Sequence, residues 1–360
     1  MSKAPPVKLY VGPDYKEPKL YTHMELMSAF WGVAAKEAMP YVRTASLQYQ
    51  YSKNDFTLVD RINDADYVVM PYQYDRLLAA NPAKVTMIIE EAKKARKPLL
   101  IDGAGDIEYP ITIPNTVILR VGPYRYSVQP NDIVMPFTAE DLLESFYKGE
   151  LQMREKPQTP SVGFTGWAEI PFKTRIKIYL KEWSITLGTL FDSRRGAEHK
   201  GLLYRARALK ILSNDKRIEP HFKARATYSG HIATISGSVE NNRKDFVETL
   251  GNSDYALCIK GDANASIRFY EALSLGRIPL FLDTACVLPL EDRINYRDFC
   301  VFVDWKDVDK IATVLADFHA KCTPEQFTDR QRKAREAYRN YLRMDVFSKH
   351  LASILRERLQ

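Results

Sequence analysis

The chain has 360 residues, with 52 Lys and Arg against 45 Asp and Glu for a formal net charge of +7. Its 45% hydrophobic and 27% charged content excludes collagen, coiled coil and wholesale disorder, and the length suits two domains that need no disulfide or metal staple. The mild basic excess suits an anionic ligand such as a nucleotide or an acidic glycan, and equally a plain solubility setting.

In chain order, Val7–Val11 reads as a strand. Tyr21–Ala38 has helical spacing, with Leu26, Phe30, Val33 and Ala34 on one face, and Pro40 is read as its end. The apolar run Tyr67–Pro71 fits a buried parallel strand, Pro82–Arg96 a helix, and Pro98–Ile101 and Thr116–Val121 two further strands. Such alternation predicts a parallel sheet covered by helices. Gln152–Pro160 is polar with two prolines and reads as a linker.

Ser161–Thr165 then opens a second alternating series. Phe172–Thr186, Tyr204–Leu212, Asn241–Leu250 and Ser266–Leu275 look helical, and Tyr255–Ile259, Ile278–Leu282 and Phe299–Val303 look like strands. Val308–His319, Pro324–Leu342 and Val346–Leu359 complete the helices. The predicted fold is α/β, with two Rossmann-like domains facing across a cleft and a C-terminal helix crossing back to the first. The predicted boundaries are 1–155, 156–340 and 341–360. Ligands in such sheets bind at the carboxyl ends of the strands.

Cys258, Cys286, Cys300 and Cys322 form no Cys-x-x-Cys pair, so reduced thiols in a cytoplasmic protein are expected. No signal peptide is visible at the N-terminus, and no apolar window reaches the length of a membrane span, leaving at most peripheral membrane contact. Lys and Arg are interleaved with acids rather than gathered in a stripe, which argues against nucleic acid.

The informative stretch is Tyr255–Pro289: strand, small-and-polar loop, helix, strand. The loop Lys260–Ser266 ends where the helix begins, so backbone N–H groups and the positive helix end face it, as an anion site needs. Arg268 and Glu271 share one helix face. A cation at a helix N-terminus becomes sensible beside an anion, and a carboxylate one turn on can accept from a ribose diol. The plainer alternative is a helix-surface ion pair between the two.

Cys258, Gly261, Ser266, Arg268, Glu271-Ala-Leu273, Gly276, Ile278-Pro279 and Leu288-Pro289 resemble the C-terminal region of exostosin-like glycosyltransferases. Ile294–Phe299 and Val301–Val303 extend the resemblance, which is weaker over Tyr67–Pro71, Asp132–Pro136 and Ser161–Gly166. Arg277 stands where the family usually has Cys, and the family's basic, His-containing motif is not recognisable over Asp102–Glu108. The resemblance implies a GT-B fold and an inverting sugar transfer from a nucleotide sugar, such as a UDP-sugar, to a hydroxyl of a glycan or glycolipid. It places Arg268 at the diphosphate and Glu271 at the ribose. No cofactor and no metal are expected, since positive groups and helix ends can stabilise the departing diphosphate. A GDP-sugar enzyme of another family, fucosyltransferase-like, and a non-catalytic glycan- or nucleotide-binding module are the alternatives.

Asp64-Ala-Asp66 and Asp307-Val-Asp309 could hold a divalent ion, but they flank a strand and a helix start, where acids serve as caps. Arg194 and Arg195, with Lys200, could clasp a diphosphate or stay solvated. Gly166, at a strand end, permits close approach to a ligand or makes a simple turn. Lys260 and Ser266 complete the donor-side candidates. The general base that an inverting transfer needs is sought on the N-terminal side, at Asp106 first, with Asp14 and His23 as rivals.

Overall fold

The computed structural model describes residues 4–34, 39–105, 110–228, 230–235 and 237–359. Two wholly parallel sheets organise them. The first contains β1 (Val7–Tyr10), β2 (Phe56–Val59), β3 (Tyr67–Gln73), β4 (Leu99–Asp102), β5 (Thr116–Arg120) and β6 (Asp132–Val134), in the order β2-β1-β3-β4-β5-β6. The second contains β7 (Ser161–Trp167), β8 (Glu219–Arg225), β9 (Tyr255–Cys258), β10 (Ile278–Asp283) and β11 (Val301–Asp304), in the order β11-β10-β9-β7-β8. Numbered within its own half, the second sheet runs 2-1-3-4-5 and the first runs 2-1-3-4-5-6, so the halves are two Rossmann-like domains of one topology, the first with an added edge strand.

The central strands are apolar because helices cover both faces: β3, β4 and β9 are buried almost throughout. Three strands were not anticipated, β2, β6 and β8, and all lie at sheet edges. β8 is Glu-Pro-His-Phe-Lys-Ala-Arg with mostly exposed or half-exposed side chains, so it lacks the buried-strand signature.

The helix expected over Tyr21–Ala38 is not continuous. A 3-10 turn, Glu25–Met27, leads into a single helical turn, Ser28–Trp31, which stops at Gly32 with φ of 82°; residues 35–38 are outside the described set. Pro40 begins a helix, Pro40–Gln48, rather than ending one. Its missing N–H and fixed φ suit the first helical position. The expected helix 172–186 is broken at Glu182 into Phe172–Lys181 and Trp183–Gly188.

Residues 152–160 are tied down rather than loose. Gln331 bonds both the N–H and the carbonyl of Arg154, at 2.9 and 2.8 Å, and Arg154 pairs with Asp254 at 2.7 Å. Arg277 is almost fully buried and donates to the Gln152 carbonyl. It thus uses its length to grip the connector.

The C-terminal helix Met344–Glu357 buries Met344, Phe347, Ser348, Leu351, Ala352 and Leu355, a stripe of helical period. That stripe lies on the first sheet: the Tyr67 hydroxyl donates to the Leu355 carbonyl at 2.8 Å and the Ser348 hydroxyl accepts from Ser52 N–H at 2.9 Å. Val7, Leu9 and Phe56 of the first sheet and Phe269, Tyr270 and Leu273 of the second half belong to one continuous buried cluster. The domains therefore share a core. The four cysteines are all unpaired and buried.

Candidate functional site

Strand order in the second sheet reverses between β7 and β9, and a crevice opens at the carboxyl ends of such strands. Three cations converge there. Arg268, the second residue of helix Ile267–Ser274, donates from Nη2 to the Thr165 carbonyl at 2.7 Å. Its guanidinium lies 4.3 Å from the centre of the Phe164 ring. Arg205, on helix Gly201–Asn214, reaches the carbonyls of Ile259 (3.3 Å) and Trp167 (3.5 Å). Lys260, directly after β9, donates to the Ala197 carbonyl at 2.6 Å and to the Tyr124 hydroxyl of the first domain at 2.9 Å.

The acids around these cations, Glu271 and Asp262 among them, act on them only from a distance. Among the described residues neither Arg205 nor Arg268 makes an ion pair, and the buried Nε of each has no hydrogen-bond partner. Burial pushes Arg268 below the usual arginine value, and burial followed by the charge of Arg268 does the same to Arg205. Burial also brings Lys260 down to about 8. Unsatisfied buried donors on two adjacent cations are costly unless an anion meets them.

The local sequence explains the geometry. Gly166 has φ of 149°, and a Cβ there would stand 2.8 Å from Arg268 Nη2. Only glycine lets the arginine lie across the strand end. Ser266 occupies the N-cap position of the 267–274 helix, but its side chain makes no capping bond, so the first-turn N–H groups are not capped by it.

Arg268 and Glu271 do not pair with each other, and neither is on the surface. Glu271 is bonded by Arg243 Nη1 at 2.6 Å, while Nη2 and Nε of Arg243 reach Glu140 at 2.6 and 2.9 Å. All three are buried, and Tyr41 of the first domain stacks 4.8 Å from the Arg243 guanidinium. The plainer reading of a surface ion pair is thereby removed. Glu271 sits one helical turn beyond Arg268, held by an arginine that also grips Glu140, which follows β6.

The facing wall comes from the first domain. Gly103 and Gly105 after β4 and Arg120 to Tyr124 at the end of β5 line a cavity together with Asn264 of the 260–266 loop. Gly122 has φ of 58°, and a Cβ on it would fall 2.5 Å from the Asn264 carbonyl. Beside it the domains are stitched: Tyr124 forms an antiparallel bridge with Cys286, and Arg125 pairs bidentately with Glu291 at 2.8 and 2.9 Å.

The other candidates separate. Arg194 is exposed and paired with Asp192 at 2.8 Å, with Tyr126 5.3 Å below it. Arg195 faces Glu198 at 3.5 Å. Both are engaged by acids of their own loop. Asp64, Asp66, Asp307 and Asp309 are taken respectively by Arg61, the Lys8 N–H, Lys310 and Arg207. Asp14 is exposed in the turn after β1. The ring nitrogens of His23 face the carbonyls of Met24 (3.0 Å) and Gly32 (2.9 Å). Asp106 lies outside the described residues.

Arg205 was not anticipated. Its signal was present: it stands four residues from both Gly201 and Leu209 on the buried stripe of its helix, a cation where the period calls for an apolar residue. Asp102 is a second addition. Buried at the end of β4, it accepts from Ala104 N–H at 2.9 Å, and burial raises it to about 7.

Comparison with known proteins finds similarity over the second half of the chain. A model of the Exostosin GT47 domain matches residues 189–318. A probable glycosyltransferase of Arabidopsis thaliana is 30% identical over 120 residues, 32% of this chain and 22% of the relative. Drosophila melanogaster Exostosin-1 is 38% identical over 65 residues, 18% of this chain and 9% of the relative. The matched region is thus under a quarter of either relative's length. Among solved structures, Anabaena Alr3699/HepE in complex with UDP aligns with 98% of this chain and 100% of its own, at a TM-score of 0.40 and 10% identity. The matched region contains Arg205, Lys260, Arg268 and Glu271 together, so this part of the second Rossmann-like half is similar to the Exostosin GT47 domain.

Proposed function

We propose that the protein is a glycosyltransferase that moves a sugar from a nucleotide donor to a hydroxyl of a glycan or glycolipid, with inversion and without a metal. The observation that carries this is the Arg205–Arg268 pair, two cations with partnerless buried Nε groups at the strand-order switch point. A diphosphate supplies the missing acceptors to Arg205, Arg268 and the 267–274 helix end, with Lys260 alongside. As the sugar leaves, charge grows on that diphosphate, and fixed cations stabilise it more than they stabilise the intact donor. Glu271, oriented by Arg243, accepts from the ribose diol. Uridine diphosphate is the donor nucleotide we assign first.

The acceptor enters from the first domain, past Gly103, Gly105 and Tyr124. An acceptor proton needs a base with a free lone pair. Both nitrogens of His23 are occupied by carbonyls, which favours Asp106 or Asp14. Four buried, unpaired cysteines suit a reducing compartment, and we place the protein in the cytoplasm.

Titration calorimetry with UDP, GDP and CDP tests the reading. Arg268→Ala and Arg205→Ala should each weaken the preferred diphosphate by roughly tenfold to a hundredfold, the worth of a charged hydrogen bond. Unchanged affinity in both variants would refute it, and a preference for GDP would move the donor assignment to the fucosyltransferase-like alternative. Binding without donor hydrolysis or transfer, across donors and acceptors, would leave a binding module.

A further inference from the structure

The helices Phe172–Lys181 and Trp183–Gly188 project from the second domain with their apolar side outward. Eighteen large apolar side chains are exposed among the described residues, and eight of them fall between positions 172 and 191. Phe172, Leu190 and Phe191 are 76%, 77% and 93% exposed, and Leu180 and Trp183 more than half. Only Ile178 of the first helix and no residue of the second is buried. Positions 172, 176, 179 and 180 recur at helical spacing in the first helix and 183 and 187 in the second, so each helix presents an apolar stripe. A monomer rarely leaves such a patch open without a partner for it.

Charge identifies the partner. The first helix carries Lys173, Arg175, Lys177 and Lys181 and no acid. All four are exposed, and none is in an ion pair among the described residues. The one acid at the joint, Glu182, is turned inward, accepting from the Lys200 N–H at 2.9 Å and facing His199 Nδ1 at 2.8 Å. That contact anchors the pair of helices to the domain, while the charges left on their outer surface are all basic, beside apolar side chains and the hydroxyls of Ser184 and Thr186. A second copy of this face would bring the same cations together, which opposes self-association. Aromatic and aliphatic side chains flanked by lysines instead match the boundary between anionic headgroups and acyl chains.

We propose that residues 172–191 dock the protein on an anionic membrane surface, the apolar stripes entering the acyl boundary and the four cations meeting the headgroups. The helices begin five residues after β7 ends, at the sheet end that also holds Arg205 and Arg268, so the docked face adjoins the crevice.

Flotation with phosphatidylcholine vesicles, with and without phosphatidylglycerol, tests this. The protein should float with the anionic vesicles and be released by salt. Lys173→Glu/Lys177→Glu/Lys181→Glu should weaken binding by roughly a hundredfold or more, since each basic residue contributes strongly near such a surface. Trp183→Ser/Leu190→Ser/Phe191→Ser should abolish it even at low salt, where the four cations are least screened. Circular dichroism and thermal unfolding verify that both variants fold, as the substituted side chains are exposed. Failure of the wild-type protein to float with anionic vesicles, or retention of full binding by both variants, overturns the proposal. So does a wild-type dimer in light scattering that the apolar variant dissociates, because the patch would then be a contact between copies.

Discussion

Arg268 Nη2 donates to the Thr165 carbonyl at 2.7 Å, so an arginine from one strand–loop–helix unit closes the end of the neighbouring strand. The bond fixes the guanidinium across the point where strand order reverses. It is made possible by Gly166, whose lack of a side chain leaves the arginine its path.

Gly166→Ala should therefore act through Arg268. The new Cβ would stand 2.8 Å from Nη2 at a φ that side chains rarely adopt. Diphosphate affinity should fall by roughly tenfold to a hundredfold, the worth of one charged hydrogen bond. Combined with Arg268→Ala, the second change should add little, because both remove the same contact. Calorimetry on the two single variants and the double variant checks this; full additivity would separate the two residues.

Arg243→Ala should destabilise the fold by about 3–5 kcal/mol, since it strands the buried carboxylates of Glu140 and Glu271 without a partner. Arg243→Lys should recover only part, because one ammonium cannot reproduce the fork that bridges both acids. Urea unfolding of the three proteins measures the effect. Equal midpoints would show that the bridge contributes nothing.

Affinity for the diphosphate should decline as pH rises through about 8, where burial places Lys260 in the free protein. An anion favours the charged amine, so the bound state holds its proton to higher pH. Binding above that point then takes up a proton. Calorimetry in buffers of different ionisation enthalpy detects the uptake, and Lys260→Met should remove it. Persistence of the uptake in that variant would assign the proton to another group.

Asp102 should make stability fall with rising pH. Burial raises its folded-state value to about 7, above that of the unfolded chain. Its contribution is complete below the ordinary aspartate range and is lost as pH climbs through about 7. Asp102→Asn should flatten this slope, gaining most at mildly alkaline pH. Denaturant titrations across the range test it, and parallel wild-type and variant curves would exclude Asp102 as the source.

Most of the architecture was legible in the sequence because buried central strands are continuous apolar runs. Tyr67–Pro71, Tyr255–Ile259 and Ile278–Leu282 announce themselves in that way. β2, β6 and β8 do not, because an edge strand has a neighbour on one side only, and β8 sets Glu219, His221, Lys223 and Arg225 on one face and buries no side chain. The cluster at Lys260, Ser266, Arg268 and Glu271 was readable from spacing around one helix start. Arg205 and Arg243 were not, since each arrives from a separate helix and its meaning depends on which way that helix turns. Pro40 shows the opposite difficulty: proline ends one helix and begins another with the same ring, and only the chain after it decides which.

The core shared by the two halves bears on how such a chain can be rearranged. Phe269 and Tyr270 pack in the same cluster as Val7 and Leu9, and the last helix returns to cover the first sheet. Cutting at the 152–160 connector would leave each fragment with a bare apolar face, so the halves are not interchangeable cassettes. Recombination that swaps a donor half between relatives would have to bring its own terminal helix and the matching sheet surface with it.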